Sequence, residues 1–461
     1  MTPRLRSLLA GAALVAVTLV PTTAATAAET CNGLAATITG TAGDDVLVGT
    51  PGNDVIVGLD GRDDIRGKGG NDTLCGGSGK DTLDGGSGKD TLVGGPGADH
   101  LIGGKGADTL DGKSGGDTLE GKGGGDTLIG AGGADVLDGG AGNDSASGGG
   151  KADEVTGGPG NDDLMGGGGA DSLDGGADDD TLDGGGGADT LRPGTGTDET
   201  DGGTGVDTVD YSDLDTGINV DLTTGLVTGD GIETVSNIEN VIGTDFNDLF
   251  VSSASDNEFT GRGGSADKVT YVNAAGGVTV DLAAGTATGH GNDLLSGIES
   301  IIGSDFDDVI RGDGNNNQLD GGAGDDTLAG RGGLDSLIGR GGDDDMDGGA
   351  DQDLAFFQSA PGGVTVNLPN GTATGDGSDT LANIEDVYGS FYDDSITGDG
   401  GPNQLTGDEG NDTLVGAGGD DTLTAGLGND TLNGGTGTDI GDGGPGTDTC
   451  ISIETPFSCE A

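Results

Sequence analysis

Residues 76–84 read GGSGKDTLD, residues 103–111 read GGKGADTLD and residues 184–192 read GGGGADTLR. The same nine-residue phase runs without insertion from Gly40 to Asp210, giving nineteen consecutive blocks. Self-similarity at a fixed short period is the mark of a repeat architecture. The sixth place is Asp in all nineteen blocks. The eighth is Leu, Ile or Val in all but two, where Ala146 and Thr200 stand, and the first is Gly in all but one, where Pro193 stands.

Each place has a physical job. Glycines at the first, second and fourth places permit positive φ and close backbone approach, so six residues can form a tight turn. That curvature brings carbonyl oxygens toward a common centre, where the sixth-place carboxylate joins them. The last three residues, such as Thr82-Leu83-Asp84, alternate polar, apolar, polar, as a very short strand with one inward side chain does. One nonad cannot bury a core. Two nonads back to back make an 18-residue coil whose aliphatic side chains meet inside, and coils stacked at the ~4.8 Å strand spacing give an all-β, parallel solenoid. Nineteen nonads make a rod of roughly 45 Å at that spacing. Same-side turns then lie 18 residues apart, so a cation can sit between block i and block i+2. An all-oxygen donor set selects calcium over softer metals.

Composition points the same way. The chain has 461 residues, 108 of them Gly, with 82 acidic against 17 basic residues and no Trp. A large-residue core over most of the length is excluded. The net charge of −65 opposes compaction unless it is neutralised, and excludes nucleic acid or an anionic membrane surface as partner. One aliphatic side chain per nonad, worth roughly 1.5–3 kcal/mol when buried, cannot offset the ordering of nine residues at about 1 kcal/mol or more each. The array is therefore expected to be disordered without calcium and to fold with it; a Gly/Asp-rich disordered tract is the competing reading.

The block resembles the GGxGxDxUx nonapeptide of the RTX (haemolysin-type) calcium-binding repeats. The resemblance covers about two thirds of the chain beyond its leader. It implies a parallel β-roll with calcium held between successive same-side turns by the sixth-place carboxylate and turn carbonyls. Carried onto this chain, the side-chain ligands are Asp45, Asp54, Asp63, Asp72, Asp81, Asp90, Asp99, Asp108, Asp117, Asp126, Asp135, Asp144, Asp162, Asp171, Asp180 and Asp189 in the first array. Asp308, Asp326, Asp335, Asp344, Asp394, Asp412, Asp421 and Asp430 follow in the later ones. Blocks 148–156, with Lys151 at the fourth place, and 193–201, with Pro193 at the first, depart from the pattern, and calcium beside them is expected to be weaker. Counting same-side pairs gives at most 17, 4 and 5 sites in arrays 40–210, 303–356 and 389–451, an upper bound of 26.

After Asp210 the phase breaks three times for one kind of segment. The three copies contain INVDLTTGLVTGDGIETVSNIENVI, VTVDLAAGTATGHGNDLLSGIESII and VTVNLPNGTATGDGSDTLANIEDVY. Residues 211–302 are read as two such units with degenerate repeats, and residues 357–388 as the third. Each carries an alternating strand, clearest at Val278-Thr279-Val280-Asp281-Leu282, a Gly-bounded turn and an Asn/Gly-Ile-Glu stretch. Each returns to phase at a glycine: Gly243, Gly303 or Gly389. All twelve aromatic residues lie at 211 or later. Tyr271, Phe306, Phe357 and Tyr392 lie in or beside these units, which are expected to have a more conventional core and to anchor the rod without calcium.

The termini read as an address and two caps. Arg4 and Arg6, the apolar run from Ser7 to Val20 and the small residues Ala25-Thr26-Ala27 form a secretory signal peptide over residues 1–28, cleaved near Ala27. Residues 29–39 and 452–461 are read as terminal caps. Four Cys suit an oxidising compartment and allow three connectivities. Cys31–Cys75 with Cys450–Cys459 is favoured because each pair closes one end of an elongated body; four free thiols is the alternative.

No catalytic constellation stands out. The two histidines, His100 and His290, lie in no zinc motif, and His100 falls at an outward seventh place. The longest stretches outside the phase are about 32 residues, so the chain is read as carrying no catalytic domain. The leading role is a secreted calcium-binding structural or binding module. The alternatives are a calcium-dependent adhesin or an ice- or polysaccharide-binding face lined by seventh-place Thr residues, and, last, a solenoid enzyme acting on polysaccharide. Expected partners are calcium ions and a cell-surface or matrix polysaccharide or protein, with no nucleic acid and no membrane span.

Overall fold

The computed structural model describes residues 29–459 and is almost wholly strand; one 3-10 helix, Leu368–Asn370, is the exception among the described residues. Strands recur every nine residues through the first array, each opening at a seventh-place residue, as in Thr82–Ser87 and Thr91–Pro96. Consecutive strands do not pair. Thr82 lies in parallel register with His100, which lies opposite Thr118; Thr91 lies opposite Thr109. The offset is 18 residues, so alternate nonads build two opposed parallel sheets.

Eighth-place side chains point between the sheets. Leu74, Leu83, Leu92, Leu101, Leu110 and Leu119 are completely buried, and Ala146 and Thr200 fill the same column at 2% and 1% exposure. The two columns form one continuous core along the solenoid. A stack of identical short strands works here because each aliphatic residue packs on its equivalents one coil before and after, so no large residue is needed.

The inserted units keep both sheets continuous. In the first, Asn219–Asp221, Leu226–Thr228 and Ile232–Ser236 form an antiparallel meander. Its last strand pairs in parallel with Glu199–Asp201 behind it and its first with Leu249–Val251 ahead. The second and third units repeat this with Thr279–Asp281, Thr286–Thr288 and Asn292–Ser296, and with Thr365–Asn367, Thr372–Thr374 and Ser378–Ala382. Tyr211, Tyr271 and Phe357 open the three units and are buried, and Phe250 stacks on Phe259 inside with ring centroids 5.4 Å apart. Phe306 and Tyr392 do not join that core. They sit on exit turns at 46% and 50% exposure, because the fourth place of a turn faces solvent.

Both ends are tied down. A hairpin of Thr30–Cys31 with Leu34–Ala35 is joined to the first coils by a Cys31–Cys75 disulfide. Thr455–Phe457 adds a last parallel strand to Ile440–Asp442, with Cys450 and Cys459 bonded beside it. Residues 1–28, which carry the signal-peptide reading, lie outside the described residues. No helix among the described residues is long and apolar enough to cross a membrane.

Candidate cation sites in the stacked turns

The turns stack through their sixth-place aspartates. Each Asp backbone N–H donates to the Oδ1 of the Asp one coil on: Asp63 to Asp81 at 2.9 Å, Asp81 to Asp99 at 2.8 Å, Asp108 to Asp126 at 2.7 Å. Each Asp carbonyl in turn accepts from the seventh-place N–H of that coil, as Asp63 does from Thr82 at 2.8 Å. These bonds use the backbone and one carboxylate oxygen. The other oxygen, Oδ2, is buried without any hydrogen-bond partner at seventeen sixth places of the first array, four of the second and five of the third. A buried carboxylate oxygen left unpaired is costly unless a cation meets it.

The surroundings of Oδ2 supply further oxygen donors. A Cβ placed on Gly103 would lie 2.7 Å from Asp108 Oδ2 and 3.0 Å from the Gly121 carbonyl; on Gly85, 2.6 Å from Asp90 Oδ2 and 2.8 Å from the Gly103 carbonyl. The first-place glycine therefore exists to make room. It does not adopt positive φ, in contrast to the second and fourth places, such as Gly86 at +102° and Gly88 at +138°. Carboxylate and next-coil carbonyl thus converge on a space that any side chain would fill. No three His, Cys, Asp or Glu side chains converge on one point among the described residues. The donor set is carboxylate plus backbone carbonyl, all oxygen, which fits calcium and not a soft metal.

Burial sets the electrostatics. It pushes Asp90, Asp99, Asp126 and Asp162 up to about 6, and Asp180, Asp326 and Asp412 up to about 7, helped by the aspartates one coil away. A nearby cation would reverse this.

Twenty of the twenty-four aspartates singled out from sequence have this orphaned oxygen. Asp45, Asp54, Asp308 and Asp394 differ. Their Oδ2 accepts the second-place N–H of Thr41, Thr50, Ser304 or Ser390 at 2.5–2.6 Å, and each hydroxyl adds a second bond to the carboxylate. The Thr50 N–H holds the Asp54 carboxyl below its ordinary range, while burial outweighs the same bonds at Asp308 and Asp394. Those four turns are satisfied by their own chain. Conversely, Asp153 and Asp198, in the two irregular blocks, have the same orphaned oxygen as the regular ones, as do Asp207, Asp353, Asp439 and Asp448. The invariant sixth-place Asp was the signal that identified them. Lys151 is accommodated by taking φ +84° at the fourth place.

Glutamates close the stacks. Glu239, Glu299, Glu385 and Glu454 accept the N–H of Asp207, Asp267, Asp353 and Asp439 at 3.0, 3.0, 3.1 and 2.8 Å. The Ile-Glu stretch is thus a stop: one extra methylene lets a residue outside the nonad turn reach the last free N–H. His100 lies outward, its Nε2 2.9 Å from Glu120.

A parallel β-solenoid most of whose turns leave a buried carboxylate oxygen unpaired defines a cation-binding repeat protein. A profile of the RTX calcium-binding nonapeptide repeat matches residues 39–74, 76–110, 111–146, 142–173, 156–191, 165–200, 174–209, 294–328, 320–355, 388–423 and 415–450. This chain belongs to that family of RTX calcium-binding repeat proteins. No curated protein matches it.

Proposed function

We propose that the chain is a secreted rod that folds on binding calcium and serves a structural or binding role rather than a catalytic one. The sixth-place aspartates are its side-chain ligands and first-place carbonyls complete the set, with up to twenty-six ions. The observation that carries this reading is the twenty-six buried sixth-place Oδ2 atoms that nothing among the described residues satisfies. Four are in blocks 303–356 and five in 389–451, the same allotment that same-side pairing allows. Bound calcium supplies positive charge among carboxylates and joins successive coils. Secretion is supported by the signal-like leader and by two disulfides, which persist in oxidising compartments.

A second role, contact with a surface polysaccharide, is favoured by one face of the first array. Thr73, Thr91, Thr109 and Thr127 stack in register as an outward row. Calorimetric calcium titration with a count of bound ions, followed by circular dichroism before and after chelation, tests the main reading. A count of a few ions, or a spectrum indifferent to both additions, would overturn it. A glycan-binding screen with and without calcium tests the second.

A further inference from the structure

Each inserted unit hides a turn that the nine-residue phase passes over. Residues 228–236 read TGDGIETVS, 288–296 read TGHGNDLLS and 374–382 read TGDGSDTLA. Glycines stand at the second and fourth places and an acid at the sixth, at the return end of each meander. These turns stack on the nonad before them as any coil does. Thr234 N–H donates to the Asp198 carbonyl at 3.0 Å, Leu294 to Asn257 at 2.9 Å and Thr380 to Asp344 at 2.8 Å. Gly231, Gly291 and Gly377 cover the carbonyls of Gly196, Ser255 and Gly342 too closely for a Cβ.

The three junctions differ in what they leave unsatisfied. At the first, Asp198 Oδ2, Glu233 Oε2 and Asp230 Oδ2 are buried atoms without partners, and Asp198 and Glu233 are 3% and 2% exposed. The Tyr211 hydroxyl, 1% exposed, faces Glu233 without a well-formed hydrogen bond. The third repeats the pattern with Asp344 Oδ2, Asp379 Oδ2 and Asp376 Oδ1, Asp344 and Asp379 both being 2% exposed. Burial and the neighbouring acids push Glu233 and Asp379 up to about 7. At the middle junction Asn257 replaces the sixth-place Asp and His290 stands where Asp230 and Asp376 do. There Asp293 is satisfied: Oδ1 accepts the Asn257 N–H at 3.0 Å and Oδ2 the Ser252 hydroxyl at 3.0 Å.

We propose that the first and third units each hold a divalent, oxygen-seeking cation between the last nonad turn and the hidden turn, through Asp198 with Glu233 and Asp344 with Asp379, and that the middle unit holds none. Asp230 and Asp376 add negative charge beside these sites, and turn carbonyls supply the remaining oxygens. The units are then not uniformly calcium-independent anchors. This rests on the calcium reading of the turns, but assigns sites to residues outside the nonad pattern.

Tyrosine-sensitised terbium luminescence tests it, with Tb3+ standing in for calcium on the full secreted chain. The chain has four Tyr and no Trp, and Tyr211 faces the first site. Tyr211→Phe should remove a component of the emission, and Glu233→Gln should remove most of that component while calcium still induces the full far-ultraviolet spectrum. Asp293→Asn and Tyr271→Phe should leave emission unchanged. In a Tyr211→Phe background, the pair Asn257→Asp and His290→Asp should create emission dependent on Tyr271. That gain serves even if Glu233→Gln folds poorly. Emission unaffected by Glu233→Gln in the folded protein, or no gain from the paired change, overturns the proposal. Failure of the underlying reading looks different: no variant, nor the unmodified chain, would respond to calcium.

Discussion

Acid should substitute for calcium. In the chelated chain the sixth-place carboxylates must be buried without a counterion, and burial raises nine of them to about 6: Asp90, Asp99, Asp126, Asp153, Asp162, Asp189, Asp198, Asp335 and Asp344. A rise from 3.8 to about 6 corresponds to roughly 3 kcal/mol between the two protonation states. Solvent screening at the turn edge reduces that to the order of 1 kcal/mol per carboxylate. Over these nine groups the sum is roughly 9 kcal/mol, comparable with the about 5–15 kcal/mol by which domains are ordinarily stable. The sign follows from linkage. The folded-state pKa exceeds the unfolded one, so the cation-free fold is relieved of the penalty below about 4 and bears it in full once pH has risen through 6 to 7. Chelated protein should therefore be disordered at pH 7.5 and regain strand signal between pH 6 and 4. The calcium effect runs the opposite way, because binding needs ionised carboxylates and fades as pH falls through 6. Circular dichroism across pH, with chelator or with calcium, reads both. Relief of net charge alone would also favour compaction in acid. Changing the half-exposed ninth-place residues Asp84, Asp138, Asp174 and Asp183 to Asn should leave the acid transition in place. Changing sixth-place Asp81, Asp99, Asp117 and Asp135 to Asn should weaken its amplitude and order part of the chelated array at neutral pH. Equal disorder at pH 4.5 and 7.5, or equal effects of the two sets, would refute the reasoning.

Gly103→Ala puts a methyl against Asp108 Oδ2 and the Gly121 carbonyl; it should lose about one bound ion and cost roughly 1–3 kcal/mol, seen in calcium titration and thermal melts. Thr50→Gly removes the hydroxyl bond to Asp54 and frees the second place to take the positive φ of the open turns, which turns its N–H away from the carboxylate, while keeping the Gly49 cradle; the turn should open and the count of bound ions rise by one. Leu119→Ala empties a fully buried eighth place and should cost about 2–5 kcal/mol in the calcium-loaded state. Reducing Cys31–Cys75, which closes a separation of 44 residues, should cost about 4 kcal/mol and expose the first coils to limited proteolysis.

The solenoid was legible because its determinants are local and periodic. A sixth-place Asp and an eighth-place aliphatic every nine residues fix the coil, and the 18-residue register follows from pairing alternate nonads, as Thr82 opposite His100 shows. What the pattern concealed depends on hydrogen bonds that cross the phase. Thr41, Thr50, Ser304 and Ser390 look like conservative departures from Gly at the second place, yet their N–H and hydroxyl settle the Asp four residues on. The hidden turns at 228–236 and 374–382 were masked because the meander reverses direction before them, which displaces the phase by one residue from the blocks they stack on: Glu199 pairs with Thr234 at an offset of 35, not 36. The exposure of Phe306 and Tyr392 was missed because aromatic content was read as core, while the turn that carries them faces out.

The second place of the turn therefore governs how each coil is held. Glycine there leaves the carboxylate open. Thr or Ser closes it from within. Lys or Arg there takes the left-handed conformation, +84° at Lys68 and +78° at Arg331, and turns its charge onto an oxygen: Lys68 Nζ donates to the Gly49 carbonyl at 2.9 Å and Arg331 to the Gly312 carbonyl at 2.8 Å, whereas Lys113, Lys122 and Arg340 pair with the carboxylates of Asp111, Glu120 and Asp320. These choices are not scattered. Thr41 and Thr50 begin the first array, Thr244, Ser304 and Ser390 begin the chain again after each unit, and Lys68 and Arg331 cover first-place carbonyls near a stack's start. Glu239, Glu299, Glu385 and Glu454 end the stacks. A further ladder, fifth-place Asn and Asp accepting the next coil's N–H, runs through Asp393, Asn411 and Asn429 but lapses where the first array has Ala, Gly or Lys in that place. Each array thus begins with turns whose carboxylate is satisfied by the chain and continues with turns whose carboxylate oxygen is not, up to a last backbone N–H that Glu239, Glu385 or Glu454 accepts. On the proposed reading such starts provide a folded template for the first open turn, ordering would propagate from them as cations bind, one coil against its neighbour, and the long remainder of residues 40–210 is the part with least to hold it otherwise.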